Sequence, residues 1–199
     1  IGAVIIHGAG DTFSAGLDLQ EMHRITLPEV EEAFKAMERA IGAVENLPMP
    51  TVGALRGVAT GGGCELLLAC DVRVGSRTAR MGMPIARLGI TIGADFGQRL
   101  TRLMGPSIAR DLLYTGRLLS GIQAYRWGLI NYMVRDEEVM DRVWALARRI
   151  AAQSPASNRA SKAATDPGLM LQGPNAFAGQ VHRYAADPDD FREGIRAWV

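Results

Sequence analysis

The stretch Ala59-Thr60-Gly61-Gly62-Gly63-Cys64-Glu65 constrains this chain more than any other. Consecutive glycines let backbone N–H groups approach a ligand closely, because no Cβ stands in the way. The apolar run Leu66-Leu67-Leu68-Ala69-Cys70 behind them reads as a buried helix. The glycines therefore fall at a helix N-terminus, where unpaired N–H groups and the dipole favour negative charge. Glu65 falls in the first turn of that helix. Together they form a candidate oxyanion hole with a candidate acid/base beside it. The plainer alternative is a tight strand-to-helix turn with a dipole-complementing glutamate. The run lacks the Gly-Lys-Ser/Thr of a phosphate loop, and its spacing does not fit the dinucleotide fingerprint.

A second segment has the same grammar. His7-Gly8-Ala9-Gly10-Asp11-Thr12-Phe13-Ser14-Ala15-Gly16-Leu17-Asp18-Leu19 runs from a strand through glycines to a helix start. Composition narrows what two such turns can serve. A chain of 199 residues with 48% hydrophobic and 22% charged residues can bury a core as one soluble domain. A net charge of +1 argues against a nucleic-acid binder defined by bulk positive charge. The two cysteines, Cys64 and Cys70, lack metal-ligand spacing and read as small buried residues. Three scattered histidines, His7, His23 and His182, suggest no metal site. No apolar run is long enough for a membrane-spanning helix and no signal peptide is visible, so a cytoplasmic location is expected.

Hydrophobic periodicity and breakers divide the chain further. Val4 to Ile6 reads as a strand. Thr26-Leu27-Pro28-Glu29 is a capping box opening a helix, with Val30, Phe34, Met37, Ile41 and Val44 following at helical spacing to the breaker Asn46 to Pro50. Thr51 to Arg56 reads as one strand entering the glycine turn. Asp71 to Val74 and Arg80 to Gly82 read as strands. Gly97 to Met104 is expected to be helical and stopped by Gly105-Pro106, with a second helix over Ser107 to Thr115. A short helix over Gly121 to Trp127 leads to a strand over Leu129 to Val134. Asp136 to Gln153 reads as one long amphipathic helix, with Val139, Val143, Leu146, Ala147 and Ile150 inward. The remainder is helical, punctuated by Pro155, Pro167, Pro174 and Pro188. Strands first and helices last give an α/β chain with a helical tail.

With these segments in view, the chain resembles the enoyl-CoA hydratase/isomerase (crotonase) family. The resemblance rests on Phe13 to Leu19, Gly61 to Glu65, Ala69-Cys70-Asp71, Pro84 to Gly89, Gln98-Arg99-Leu100, Tyr114-Thr115-Gly116 and Trp127 to Asn131. It implies a spiral of ββα units over 1–153 and a C-terminal helical region over 154–199 that serves oligomerisation or as a lid. It implies a homo-oligomer, a trimer or a dimer of trimers, acting on an acyl-CoA thioester, with coenzyme A as part of the substrate and no separate cofactor or metal. By the same comparison, both ends of the chain look truncated.

The resemblance also assigns roles. The oxyanion donors map onto the backbone N–H groups of Leu17 and Gly62, and losing one such donor costs roughly a hundredfold or more in rate. Glu65 maps onto an acid/base. Burial would raise its pKa, while the helix N-terminus would lower it. Substrate contacts map onto Ala15, Leu17, Asp18, Gly61, Gly62, Ile85 and Gly93. Two departures stand out. The family's Pro-Glu position reads Pro84-Ile85, and an isoleucine carries no proton, which argues against an efficient standard hydratase. A coenzyme-binding lysine position reads Gln20, leaving phosphate contact to Arg24, to another subunit or to residues beyond the ends of this sequence. Asp95 is a candidate auxiliary acid/base, with an N-cap as its competing role. His23 is a minor candidate. The alternative function is a CoA-thioester binder that has lost the chemistry.

Overall fold

The computed structural model describes residues 1–165 and 187–198. His182 and the segment around it lie outside those residues. Two sheets organise the core. Strands β1 (Val4–His7), β2 (Thr51–Leu55), β4 (Val72–Ser76) and β7 (Tyr132–Val134) form a parallel sheet in the order β1-β2-β4-β7. Strands β3 (Val58–Thr60), β5 (Arg80–Gly82) and β6 (Leu119–Ser120) form the second, with β3 parallel to β5 and β5 antiparallel to β6.

The chain winds through both sheets in turns. In the second turn, β2 lies in the first sheet and β3 in the second, and helix α3 (Gly62–Ala69) follows. The third turn repeats this with β4, β5, a 3-10 turn over Pro84–Leu88 and helix α4 (Ala94–Thr115). The first turn has β1, then a parallel bridge from Ser14 to Ala59 in place of a full second strand. Helices α1 (Leu19–Met22) and α2 (Leu27–Glu45) complete it. The sequence reading of Thr51 to Arg56 as one strand running into the glycine turn is therefore incomplete. The chain leaves the first sheet at Arg56, turns at Gly57 (φ 56°), and enters the second sheet before the glycines.

Alternation along the strands explains how the first sheet is covered. Val52, Ala54 and Val74 pack with Val139 and Val143 of helix α6 (Val139–Ala151) on one face. Gly53 faces the other way, and a Cβ there would lie 2.9 Å from Leu67 of α3. Strand β2 is buried throughout because it is covered on both faces. Leu146 and Ile150 also pack against the α6 side, as the inward set required. Asp136–Glu138 forms a 3-10 turn, so the expected single helix starts as α6 at Val139. The strand expected from Leu129 is only Tyr132–Val134, with Leu129 and Ile130 buried in the core ahead of it.

Caps, a kink and side-chain bonds fix the helices around this core. At α2, the Glu29 carboxylate accepts from the Thr26 N–H and hydroxyl, both at 2.7 Å. At α4, Gly93 is the N-cap and Asp95 lies in the first turn. The helix thus begins earlier than the expected Gly97, and Asp95 is not the cap. Gly105 (φ 77°) kinks it before Pro106, as the breaker pair suggested. Helix α5 (Gly121–Arg126) opens on a second capping box between Ser120 and Gln123. Helix α7 (Pro155–Ala164) is tied to the sheet through Lys162, whose ammonium lies 2.9 Å from Asp71. That carboxylate also accepts from the Thr51 N–H and hydroxyl. Helix α8 (Pro188–Trp198) meets α7 through a hydrogen bond between Ser154 and Asp190.

Candidate active site

The turn at Ala15 to Leu17 and the N-terminus of α3 are pressed together. Ser14 N–H donates to Val58 C=O at 3.1 Å, and Thr60 N–H returns a bond to Ser14 C=O at 3.0 Å. Gly16 adopts φ 89°, and a Cβ on it would stand 2.8 Å from the Gly62 nitrogen. Gly63 faces the same loop, where a Cβ would lie 2.2 Å from the Ser14 carbonyl oxygen. Glycine at both positions is thus a packing requirement, and at Gly16 a backbone requirement as well. The N-cap Gly61 (φ 54°) donates its N–H to Gly82 C=O at 3.2 Å, holding the glycine turn to β5. Neither Leu17 N–H nor Gly62 N–H donates to an acceptor among the described residues.

Both residues line a cavity of about 460 Å³. Its floor comes from the two glycine-bearing turns: Ala15, Leu17, Thr60, Gly61 and Gly62. Glu65, one helical turn into α3, enters from the same side. Pro84, Ile85 and Leu88 of the 3-10 turn, with Ile90 and Gly93, also line it. Met22, Val30, Phe34 and Met37 from α1 and α2 supply a largely apolar side. The Met37 sulfur lies over Gly62, 2.3 Å from where a Cβ would be. The volume and apolar character suit a small-molecule pocket with few polar groups.

Glu65 is half-buried, and burial pushes its carboxyl above the ordinary carboxylate range. The Arg99 guanidinium opposes that rise and the Glu38 carboxylate adds to it. Arg99 is itself buried and paired with Glu45. Desolvation is the largest cause of the shift and prevails over the opposing Arg99 charge. A group shifted upward can hold a proton closer to neutrality than a free glutamate does, which suits acid/base work.

The cavity gathers Ala15, Leu17, Gly61, Gly62, Glu65, Ile85 and Gly93 from the sequence-derived set. It does not include Asp18. That side chain caps α1, accepting from Gln20 N–H at 2.8 Å and Glu21 N–H at 3.3 Å. Asp95 is also elsewhere, in a second cavity shared with Arg73, Arg99, Arg102 and Lys162. Neither Gln20 nor Arg24 lines the Glu65 cavity, whereas His23 does. His7 ends the edge strand β1 and hydrogen-bonds Gly8 C=O at 2.8 Å. Cys64 and Cys70 are buried, and burial pushes both thiols up to about 12. Trp127 packs against the core, with the Arg117 guanidinium 4.9 Å from its ring.

The sequence reading assigned Val30, Phe34 and Met37 a helical spacing only. They face inward, but onto the cavity, and Ile41 alone in α2 is fully buried. It missed Glu38, whose place beside that stripe offered the only signal. No described group of His, Cys, Asp and Glu has metal-binding geometry, and no described helix is long and apolar enough to cross a membrane.

Known proteins resemble this chain along nearly its whole length. A family model described as enoyl-CoA hydratase/isomerase matches residues 1–199. A crotonyl-CoA hydratase of Syntrophomonas wolfei is 35% identical over 199 residues, covering 98% of this chain and 76% of the relative. A short-chain-enoyl-CoA hydratase of Clostridium acetobutylicum is 32% identical over 200 residues, covering 99% and 77%. The crystal structure of an enoyl-CoA hydratase from Bacillus anthracis superposes with a TM-score of 0.87 at 35% identity, covering 98% of this chain and 77% of that one.

Proposed function

The chain belongs to the enoyl-CoA hydratase/isomerase family and has the crotonase fold, and from that premise we propose an enzyme that moves a proton at the carbon α to an acyl-CoA thioester carbonyl. The observation that carries this reading is the junction of the two turns. Leu17, Gly62 and Glu65 line one cavity, and the N–H groups of Leu17 and Gly62 have no acceptor among the described residues. A thioester carbonyl seated against the two N–H groups would develop enolate charge when its α-proton leaves. Donors fixed by backbone stabilise that charge without reorganising. Glu65 would take or return the proton, with burial raising its pKa above that of a free glutamate.

Coenzyme A enters as part of the substrate, and the chemistry calls for neither a metal nor a separate cofactor. The relatives named for crotonyl-CoA and short-chain enoyl-CoA make a short acyl thioester the natural probe. The apolar walls support the same choice. Ile85 offers no proton on its side of the cavity. A reaction that needs two proton carriers must therefore draw the second from another element. We also propose a cytoplasmic homo-oligomer, a trimer or a dimer of trimers. Exposed Phe191 and Ile195, one helical turn apart on α8, are compatible with such contacts.

The test is exchange of the α-protons of butyryl-CoA in heavy water, followed by proton NMR alongside a binding titration. Exchange in the wild type that drops about a hundredfold or more in Glu65→Gln is the expected result. Binding without exchange would instead make this chain a CoA-thioester binder.

A further inference from the structure

The cavity holds a second carboxylate. Glu38 on α2 lines it together with Glu65, and its Oε1 lies 3.5 Å from where a Cβ on Gly93 would be. It has no hydrogen bond or ion pair among the described residues. Its helix neighbours do: Lys35 pairs with Glu32, and Glu45 with Arg99. Glu38 is also exposed, so water reaches it at the cavity rim, whereas Glu65 is half-buried within. Two carboxyls in one apolar cavity, one shielded and one wet, are set up for different protonation roles. The two charges also sense each other, since Glu38 contributes to the upward shift of Glu65.

We propose that Glu38 is a catalytic residue: the base that activates the water adding to the β-carbon of an enoyl thioester, while Glu65 handles the α-carbon. The proposal rests on the function proposed above. The step balances without any co-reactant beyond water. Water loses a proton to the Glu38 carboxylate as its oxygen bonds to the β-carbon. The Cα=Cβ π electrons pass to the thioester oxygen as enolate, facing the Leu17 and Gly62 N–H groups. Protonated Glu65 then gives its proton to the α-carbon as the carbonyl reforms. The proton on Glu38 returns to Glu65 through solvent at the rim, completing the cycle. His23 also borders the cavity. It sits at the end of α1 and, unlike Glu38, does not figure among the charges acting on Glu65.

Hydration of crotonyl-CoA, read by loss of the enoyl-thioester absorbance, is compared in wild type, Glu38→Gln and Glu38→Asp. The α-exchange of butyryl-CoA is measured on the same preparations. Glu38 is exposed and makes no side-chain bond among the described residues, so these variants are expected to fold. The expected result is a kcat for hydration lowered about a hundred- to ten-thousandfold in Glu38→Gln. KM stays near wild type, α-exchange falls far less than hydration does, and Glu38→Asp recovers part of the hydration rate. Hydration unchanged in Glu38→Gln, a loss confined to KM, or a wild type that exchanges but does not hydrate would each overturn the role of Glu38. A wild type that neither exchanges nor hydrates would instead overturn the function it rests on.

Discussion

At Glu65, function and stability pull in opposite directions. Its folded pKa lies above the ordinary carboxylate value of 4.5, so between those two pH values the native state binds more protons than the unfolded chain. Stability contributed by this group therefore falls as pH rises through that window and stays lowered above it. Glu65→Gln removes the cost. The variant is expected to melt above wild type at about pH 8, with the gap closing toward about pH 4.5. A gap that does not change with pH would contradict the shift. Gly16 shows a different constraint. Gly16→Ala must place a Cβ against the Gly62 nitrogen from a left-handed backbone. The expected outcome is a less stable protein whose α-exchange falls about a hundredfold or more, because the displaced backbone carries the donors. Wild-type exchange in a folded Gly16→Ala protein would argue that this junction is not the site of chemistry.

At the scale of elements, what could be read ahead depended on how local its physics is. The Thr26–Glu29 box, the Gly105-Pro106 kink and the inward face of α6 depend on residues a few positions apart, and periodicity and cap chemistry found them. The break at Gly57 does not. Only Arg56-Gly57 separates the apolar residues of β2 from those of β3, and the positive φ of Gly57 packed against Asp11 shows up only in three dimensions. Asp95 was misjudged for a related reason. Gly93-Ala94-Asp95 can start a helix at more than one register, and Gly93 took the cap. Asp71, by contrast, fixes a junction between elements, joining β2 to α7 through Thr51 and Lys162. Asp71→Ala leaves the fully buried Thr51 N–H and hydroxyl without that acceptor. It is expected to cost about 1–3 kcal/mol in a denaturant titration, and a loss below about 0.5 kcal/mol would rule out this role for the junction.

At the scale of the molecule, the spiral explains why the candidate site was half legible. Each turn contributes one part: Leu17 from the first, Gly62 and Glu65 from the second, Ile85 and Gly93 from the third. The parts that sit in glycine-marked turns could be named from the sequence, because those turns announce themselves by composition. The α2 wall, with Met37 and Glu38, could not. An apolar stripe that lines a cavity has the same spacing as one that fills a core, and only the fold separates them. The central claim is that two turns of the spiral aim two backbone N–H groups at a single thioester oxygen. The most direct measurement is the infrared carbonyl stretch of butyryl-CoA carrying carbon-13 at the thioester carbonyl, bound at saturation to Glu65→Gln so that no exchange intervenes. The stretch is expected at lower frequency than in free butyryl-CoA, because two donors weaken the C=O bond. An unshifted band in a fully bound sample would contradict the account.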